Sequence, residues 1–398
     1  MSEWAVAPLG DLYGEPSRNG VTIAKDTRGV GVPMVNMREL FANERIQGQY
    51  SELVPVTDRQ LAQFGLDDQD LLFGRRSLVR DGAGKVSIVW QPPHRAVFES
   101  SLIRVRLDSM KASPLFYFYL FSSVVGREIM ETIIEQVAVA GIRSSDLANV
   151  EVPVPPLDEQ RRIAAVLGSL DDLIDADRAQ AERLVLSARA AYDQLQSHAW
   201  PLVAFDSTVE VISGGTPKTG VGEYWGGAIP WYSVADAPSG GSPWVTTTAK
   251  SITEAGVANS VTRVLPAGTT ILSARGTVGK LALVGVPMAM NQSCYGLRST
   301  SGDKGVFGYF AAQDVVRDLQ TMANGSVFDT ITRDTLTQVR VSLPPAQEVA
   351  VFEAQAWPMF DMARSLQEEI ADLTSTRDDL LPLVMSGRLR VRAENRQG

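Results

Sequence analysis

The sequence predicts an α+β fold that is built twice, with two homologous mixed α/β domains joined by two long antiparallel coiled-coil helices in a pseudo-twofold tandem repeat. Three observations predict this fold. A segment that begins at Val150 recurs at Val339, a long heptad pattern follows each copy, and fainter matches precede both copies in the same order. The predicted boundaries are 1–156 and 200–345 for the domains, 157–199 and 346–390 for the helices, and 391–398 for a flexible tail.

Each helix is preceded by the same local pattern. The chain reads VEVPVPPLDEQ from Val150 and VRVSLPPAQEV from Val339, so the shared residues lie 189 positions apart. Alternating valines are typical of a strand, and a Pro-Pro pair ends that strand before a helix starts. A final strand followed directly by a helix is therefore predicted in both halves.

Both helices carry a seam of residues spaced alternately by four and three, which is the pattern of coiled coils. The first seam is Ile163, Leu167, Leu170, Ile174, Asp177, Ala181, Leu184, Ala188, Ala191 and Leu195, and the second is Phe352, Ala356, Met359, Ala363, Leu366, Ile370, Leu373, Arg377, Leu380 and Val384. A helix of roughly 40 residues is about 60 Å long. Asp177 and Arg377 either fix the register of the pair or mark points where the seam is exposed. Pro358 is expected to kink or interrupt the second helix.

Each domain has the pattern of a twisted, mostly antiparallel sheet with a few helices. Val86–Trp90 and Leu102–Leu107 alternate as half-buried strands do. Leu115–Gln136 and Val306–Met322 have helical spacing. The glycine pairs that indicate loops are Gly214-Gly215, Gly226-Gly227 and Gly240-Gly241.

The fainter matches extend the duplication into both domains. The paired segments are Trp4–Leu9 with Trp200–Phe205, Val32–Met37 with Ile229–Val234, Arg75–Lys85 with Arg275–Lys280, Phe98–Ser101 with Met290–Ser293, and Phe116–Tyr119 with Phe307–Phe310. In this alignment Arg75 matches Arg275, and the first loop contains five extra residues.

The composition excludes several classes of active site. Cys294 is the single cysteine and the chain has two histidines, so neither a disulfide framework, a zinc site nor a His-dependent triad is expected. The sequence contains no G-x-x-x-x-G-K-[ST] or G-x-G-x-x-G loop, so we expect no cofactor and no catalysis. No apolar run reaches the ~20 residues of a membrane span and the start of the chain lacks a signal pattern, so a cytoplasmic location is expected.

One long string prompts a comparison with a known family. GGTPKTGVGEYWGGAIPWYSVAD, from Gly214 to Asp236, resembles the opening of a target recognition domain in the specificity subunits of type I restriction–modification systems. The two PP-x-x-E helix entries, the first reading PPLDEQRRIAAVLGSLDDLID, resemble the two helical regions of that family. The resemblance covers the whole chain, although the first domain has SRNGVTIAKDTRGVGVPMVNM in place of the GGTP string.

The resemblance implies a non-catalytic subunit whose two recognition domains each read one half of a bipartite, asymmetric site in double-stranded DNA. The paired helices would set the spacing of the halves and dock two methyltransferase subunits, which restriction subunits would join. The alternative is a coiled-coil scaffold or adaptor without DNA binding. The net charge of −9 and a pI of about 5.0 favour that alternative, because nucleic-acid binding domains usually carry a basic excess.

Polar and basic residues in the predicted loops are the candidate DNA contacts, since such side chains bind phosphates and base edges. They are Arg18, Asn19, Lys25, Arg28, Arg75, Arg76, Arg80 and Lys85 in the first domain, and Lys218, Thr219, Tyr224, Arg275, Lys280, Asn291 and Gln292 in the second. The candidate helix and partner contacts are Ile163, Leu167, Leu170, Ile174, Leu184, Leu195, Phe352, Met359, Leu366, Ile370, Leu373 and Leu380. A solvated surface charge, or for Asn291 and Gln292 an amide that stabilises a turn, remains the alternative. Trp225 and Trp231 are expected in the core rather than against bases.

Overall fold

A computed structural model describes residues 4–136, 140–238, 241–300, 305–322 and 330–391. The chain divides into two compact units. Unit one is Met1–Leu173 with Leu373–Gly398, and unit two is Ile174–Asp372. Each unit therefore combines a globular part with segments of both long helices. We call residues 4–154 head one and residues 202–342 head two.

Unit one contains short strands and helices that precede a single long helix. The strands are β1 (Ala5–Pro8), β2 (Tyr13–Asn19), β3 (Val32–Val35), β4 (Arg45–Ile46), β5 (Glu52–Val54), β6 (Leu71–Gly74), β7 (Arg76–Ser77), β8 (Val86–Val89), β9 (Val97–Phe98), β10 (Leu102–Leu107), β11 (Glu135–Gln136), β12 (Ala140–Gly141) and β13 (Glu151–Val154). The helices are α1 (Met37–Ala42), α2 (Asp58–Phe64), α3 (Pro114–Ser122), α4 (Val124–Glu131), α5 (Ser144–Asn149) and the long α6 (Leu157–Gln196), whose residues from Ile174 onward belong to unit two.

Unit two follows the same order. Its strands are β14 (Leu202–Ala204), β15 (Val209–Ser213), β16 (Trp225–Tyr232), β17 (Trp244–Val245), β18 (Ser251–Ile252), β19 (Thr270–Ser273), β20 (Leu281–Val284), β21 (Ala289–Met290), β22 (Cys294–Ser299) and β23 (Arg340–Ser342). Its helices are α7 (Glu254–Ala258), α8 (Val306–Met322), α9 (Arg333–Gln338) and the long α10 (Ala346–Met385), whose residues from Leu373 onward belong to unit one. Short 3-10 helices occur at Leu9–Leu12, Lys25–Thr27, Arg80–Gly82, Phe205–Ser207, Gly222–Tyr224 and Val234–Asp236.

Three sheets of each head have the same topology, which confirms the predicted duplication. The sheet β11-β12-β7 of head one corresponds, among the described residues of head two, to a single bridge between Arg275 and Thr330. The five-stranded sheets have the orders β2-β10-β6-β8-β4 and β15-β22-β19-β20-β17. The orders β5-β3-β9 and β18-β16-β21 also correspond, and so do the two-stranded pairs β1-β13 and β14-β23. Each five-stranded sheet also contains one parallel pair at the same place, β4–β8 in head one and β17–β20 in head two, and its other pairs are antiparallel.

The expectations for one helix and for one glycine pair are wrong. The predicted helix over Leu115–Gln136 is broken at Ser123, whose backbone is extended and whose hydroxyl accepts from the Gly126 N–H at 3.2 Å to start α4. Gly226-Gly227 lies within β16 rather than in a loop. A shift of register in that strand and a positive φ of 78° at Gly226 explain the glycines, since a bulge needs such a residue.

The two long helices are antiparallel in each unit. In unit two, Ala181 packs in one apolar cluster with Ala363, whereas Tyr192, further along α6, contacts the earlier Phe352 of α10. In unit one, Arg162 donates to the Val391 carbonyl at 3.2 Å, whereas an Asp171 carboxylate oxygen, further along α6, lies 2.9 Å from a nitrogen of the earlier Arg377. The partner on α10 thus moves backward as α6 advances, which confirms the antiparallel pair of the predicted fold class.

The predicted seams face inward. The buried members are Ile163, Leu167, Ile174, Asp177, Ala181, Ala188, Phe352, Ala356, Ala363, Leu366 and Val384, and the half-buried members are Leu170, Leu184, Ala191, Leu195, Met359, Ile370, Leu373, Arg377 and Leu380. Asp177 is 7% exposed and the Arg377 side chain 15% exposed, so the seam is not open to solvent at either position.

Pro358 does not interrupt α10, which is continuous from Ala346 to Met385. A proline removes the N–H that would bond the carbonyl four residues earlier. Pro358 and Ala354 both lie on the exposed side of the helix, where water can satisfy that carbonyl. Phe352 and Phe360, on either side, are buried and hold the helix in place.

The core of each head is continuous with the helix pair. In unit one, Phe116 of α3 and Leu9 are buried in one cluster with Leu167 of α6 and Val384 of α10. In unit two, Phe307 of α8 occupies the matching position, in a cluster with Tyr192 of α6 and Phe352 and Phe360 of α10. No helix among the described residues has the length and apolar character needed to cross a membrane.

Candidate nucleic-acid interface

A glycine at the same point of both heads joins the end of one strand to a neighbouring loop. A Cβ on Gly20 would lie 2.2 Å from the Glu99 carbonyl oxygen, and a Cβ on Gly214 would lie 1.9 Å from that of Asn291. These approaches leave room for glycine alone. Gly20 therefore matches the first glycine of the GGTP string, although the surrounding letters differ. As a consequence, Arg18 and Asn19 lie at the end of β2 and not in the loop where the sequence placed them.

A second loop, between the paired strands β6 and β8 or β19 and β20, lies beside that glycine. The Arg75 N–H donates to the Ser101 carbonyl at 2.8 Å, and the Ala274 N–H donates to the Ser293 carbonyl at 2.8 Å. Arg75 thus corresponds to Ala274, and not to Arg275 as the sequence alignment suggested.

The counterpart of Arg275 is Arg76. Arg76 pairs with Gly141 in the small sheet β11-β12-β7, and Arg275 forms the matching bridge with Thr330. Both arginines are exposed, and neither has an ion-pair partner among the described residues. They are the same cationic side chain at the same place in two heads.

The loop ends at a lysine in each head. The Lys85 carbonyl accepts from Gly74 at 2.8 Å, and the Lys280 carbonyl accepts from Ser273 at 2.9 Å, so these lysines correspond. The offset between equivalents falls from 199 at Arg76 and Arg275 to 195 at the lysines, so the first loop is longer by four residues rather than five.

The start of a short helix completes the arrangement. The Ser144 hydroxyl donates to the Asn19 side-chain oxygen at 2.8 Å, and the Arg333 guanidinium donates to the Ser213 hydroxyl at 3.1 Å. We define edge one as Asn19, Arg75, Arg76, Ser100 and Ser144, and edge two as Ser213, Ala274, Arg275, Gln292 and Arg333. Each edge presents polar groups and an unpaired arginine, which suits phosphates and base edges.

The comparisons with known proteins give a consistent result. The family described as "Type I restriction modification DNA specificity domain" matches residues 1–184 and 200–382. The chain belongs to this specificity family. A putative type I restriction enzyme MjaX specificity subunit from Methanocaldococcus jannaschii is 20% identical, over 98% of this chain and 94% of that protein. The MjaIX specificity subunit from the same organism is 27% identical over 184 residues, which are 46% of this chain and 38% of that protein.

A solved structure has the same fold. The S subunit of a type I restriction–modification system from M. genitalium matches with a TM-score of 0.60 at 15% identity, covering 96% of this chain and 96% of that one. At that identity the likeness concerns the fold alone.

Several of the predicted DNA contacts in this specificity-family chain interact with other groups of the same chain. Arg28 forms an ion pair with Glu52 at 2.5 Å, and Arg80 forms one with Glu131 at 2.6 Å. The Lys85 ammonium donates to the Phe41 carbonyl at 3.0 Å. Lys25 is exposed in its 3-10 helix.

Arg75 is directed back into edge one. Its guanidinium donates to the Ser100 carbonyl at 3.2 Å. Burial, and then the positive charge of Arg76, lower the pKa of Arg75. An arginine stays protonated at neutral pH, so Arg75 adds positive charge to the edge while it positions the 98–101 turn.

In head two the amide side chains support turns. The Asn291 side-chain oxygen accepts from the Ser293 N–H at 3.0 Å, and the Gln292 oxygen accepts from the Thr216 hydroxyl. The turn-stabilising interpretation therefore applies to Asn291, whereas Gln292 is exposed and remains a candidate contact.

The glycine-rich loop of head two leaves its polar side chains accessible. Lys218 and Thr219 are exposed, and Tyr224 is half-buried. Lys280, at the end of the β19–β20 loop, is also exposed. Trp231 is buried against Trp225, with ring centroids 5.1 Å apart, and its indole N–H donates to the Gly215 carbonyl, so its predicted core position is confirmed. Trp225 is half-buried in the same cluster.

Sequence reasoning missed Ser144 and Arg333. They are separated by the same 189 positions as the two helix entries, so extending that offset upstream would have aligned them. Cys294 is buried, and burial raises the pKa of its thiol to about 12, so the thiol is unreactive. Among the described residues, no cluster of His, Cys, Asp or Glu is arranged to hold a metal ion.

Proposed function

We propose that this chain is the subunit that gives a type I restriction–modification complex its DNA sequence specificity. Each head contacts one half of a bipartite site through its edge, and the chain itself performs no catalysis. The observation that carries this proposal is the duplicated edge, in which Arg76 and Arg275 occupy the same exposed position and have no acidic partner in the part of the chain that the structure describes. An unpaired arginine can bind a phosphate or pair bidentately with guanine.

The differences between the edges support an asymmetric site. Edge one has Asn19 and Ser144 where edge two has Ser213 and Arg333. Ser100 similarly corresponds to Gln292. Identical heads would read the same bases twice, whereas heads that share a scaffold and differ in their polar groups read two different half-sites.

The net charge of the chain and the exposed surface of its long helices both support partner subunits. With a net charge of −9 the chain has little basic excess of its own, so phosphate contacts from two methyltransferase subunits would supply much of the affinity. The seam residues are occupied by the helix pair itself. The docking surface would therefore use exposed apolar positions on the helices, such as Leu186 and Met362. Restriction subunits would join that complex, and a cytoplasmic location follows from this role.

Arg76→Ala and Arg275→Ala test the proposal in the full chain assembled with its methyltransferase subunits. Sequencing the methylated sites of a host that carries the complex first defines the two half-sites. We expect each variant to weaken binding by roughly 10- to 100-fold and to relax base preference in one half-site, a different half for each variant. Binding is measured on duplexes with substitutions in either half, at several salt concentrations.

Exposed arginines outside the edges provide matched controls. Arg59→Ala in unit one and Arg340→Ala in unit two should leave base preference in both half-sites unchanged. Loss of preference in the same half-site for both edge variants would contradict the assignment of one head to each half. If the DNA affinity of the wild-type complex did not depend on salt concentration, the scaffold alternative would be favoured instead.

A further inference from the structure

Two neighbouring apolar side chains stand in solvent at the tip of the β6–β8 loop. Leu78 is 92% exposed and Val79 is 58% exposed. Single exposed apolar residues are common on proteins, but two adjacent ones at the tip of a loop are a specific surface feature. The equivalent loop of head two is shorter, its Thr277 is exposed, and its Val278 packs against the core. Only head one, among the described residues, has this tip.

The tip is held rigidly from below. The Arg127 guanidinium, on α4, donates to the carbonyls of Ala83 at 2.9 Å and of Asp81 and Arg80 at 3.3 Å each. Glu131, on the same helix, accepts from the Arg80 guanidinium at 2.6 Å. Arg80, which was predicted as a DNA contact, therefore helps to hold the loop in place through its ion pair with Glu131.

The loop is also fixed at its start. The Ser77 hydroxyl, buried beside Arg76, accepts from the Val79 N–H at 3.2 Å. A preorganised loop loses little conformational entropy when its tip enters a partner. Exposure of Leu78 is therefore a stable property of the fold and not a consequence of a loose loop.

The position of the tip indicates which kind of ligand it contacts. Leu78 follows Arg76 by two residues, and Arg76 is the unpaired cation of edge one. An apolar tip directly beside a cation matches a surface that offers phosphates next to stacked bases. Apolar side chains of this kind insert between base pairs in the minor groove, where they unstack one step and kink the duplex.

We propose that Leu78 and Val79 form a wedge that inserts at one base-pair step of the half-site contacted by head one. This inference rests on the proposed function, because it assumes that edge one contacts double-stranded DNA. Its consequence is that head one deforms its half-site and head two does not. Part of the preference in that half then comes from how easily the step unstacks, which is lowest in cost at pyrimidine–purine steps.

The test uses the full chain with its methyltransferase subunits and duplexes that carry 2-aminopurine at successive positions of each half-site. Fluorescence of this base rises when it is unstacked. We expect a rise at one step in the half-site of head one, and loss of that rise with Leu78→Ser combined with Val79→Ser. Leu78→Met, which keeps an apolar tip, should retain the rise. Met110→Ser, another highly exposed apolar residue of unit one, is the matched control and should also retain it.

The outcomes separate the wedge from the function on which it rests. Specific binding without any fluorescence rise, or a rise that persists in the double serine variant, overturns the wedge and leaves the proposed function standing. If the double variant instead loses methyltransferase subunits during size-exclusion chromatography while the rise persists, the tip binds protein and the wedge is also overturned. Absence of any specific DNA binding by the wild-type complex rejects both proposals together.

Discussion

The two heads are attached to the long helices through equivalent positions of opposite chemistry. Arg45 on β4 and Trp244 on β17 correspond, because Arg45 lies opposite Ile88 and Trp244 opposite Leu283 in matching parallel pairs. The Arg45 guanidinium donates to Asp172 at 2.6 Å and to the Tyr119 hydroxyl at 3.2 Å. Head one is therefore fixed by an ionic cluster.

Head two is fixed by aromatic rings. The Trp244 indole N–H donates to the Phe360 carbonyl at 2.7 Å, and its ring packs edge-to-face on Trp357 at 5.8 Å. Applying the 189-residue offset, Phe360 corresponds to Asp171 and Trp357 to Gly168. The small Gly168 leaves room for the Arg45 guanidinium, which donates to its carbonyl at 3.3 Å, whereas the large Trp357 fills the matching space in unit two.

The backbone therefore determines where a head attaches to the long helices, while the side chains determine which head can attach there. Burying the Arg45 charge among the rings of unit two would leave it unpaired, which is costly. The same logic applies in reverse to a tryptophan among the carboxylates of unit one. Each junction thus rejects the other head's residue as well as accepting its own.

Arg377 reinforces the ionic junction. Its guanidinium lies 2.9 Å from Asp171 and 2.8 Å from Glu44, whereas the position that corresponds to it in α6 is Ala188. Burial alone would lower the pKa of Arg377, but Glu44, Asp171 and Asp378 together raise it above its usual value. The Arg377 guanidinium therefore stays charged at neutral pH.

The largest effect is expected from Trp244→Ala. Removing this buried ring leaves a cavity in the aromatic junction, so the free energy of unfolding should fall by about 3–5 kcal/mol. Urea unfolding measures the total loss, and hydrogen exchange localises it to β17 and β20 of unit two. The loss should be the same at low and high salt. If it were equally large in unit one, the two junctions would not be independent.

A smaller effect is expected from Asp171→Ala. The substitution removes the carboxylate that Arg45 and Arg377 share, and should lower the free energy of unfolding by about 2–4 kcal/mol. The neighbouring Asp172 is 61% exposed, so Asp172→Ala is the control and should cost less than about 1 kcal/mol. Equal effects of the two variants in urea unfolding would show that burial of the cluster does not matter.

The smallest effect depends on pH. Burial, and then the charge of Asp171, raise the pKa of Tyr119 above the usual value of a tyrosine. A raised pKa means that the contribution to stability is present below about pH 10 and is lost as pH rises further. Tyr119→Phe, which copies Phe310 of unit two, should cost about 1 kcal/mol at pH 8. The difference in melting temperature between variant and wild type should stay constant up to about pH 10 and shrink above it, and a difference that is unchanged at about pH 11 would contradict this account.

Much of the fold could be predicted because its signals are local. The Val150 and Val339 segments, the heptad seams and the Pro-Pro entries each depend on neighbouring residues, and the helices and the duplicated topology follow from them. Pro358 misled the prediction, because its effect depends on which side of the helix faces water.

The edges could be predicted only in part. The loop that begins near Arg75 was found from composition, but the partners of its residues lie far away in sequence. Glu131, which binds Arg80, is 51 residues away, and Glu52, which binds Arg28, is 24 residues away. Spacing along the chain contains no signal for such pairs, so the residues that stay free for a ligand emerge only from the folded structure.

The division of the chain has a consequence for its synthesis. Unit two is one continuous segment, whereas unit one needs Val384 and Met385, which are buried in a cluster with Leu9 and Phe116. Head one is synthesised first, but its core is completed only after the end of α10 has been synthesised. A premature stop codon that removes the final turns of α10 would leave the later head intact and expose the core of the earlier one.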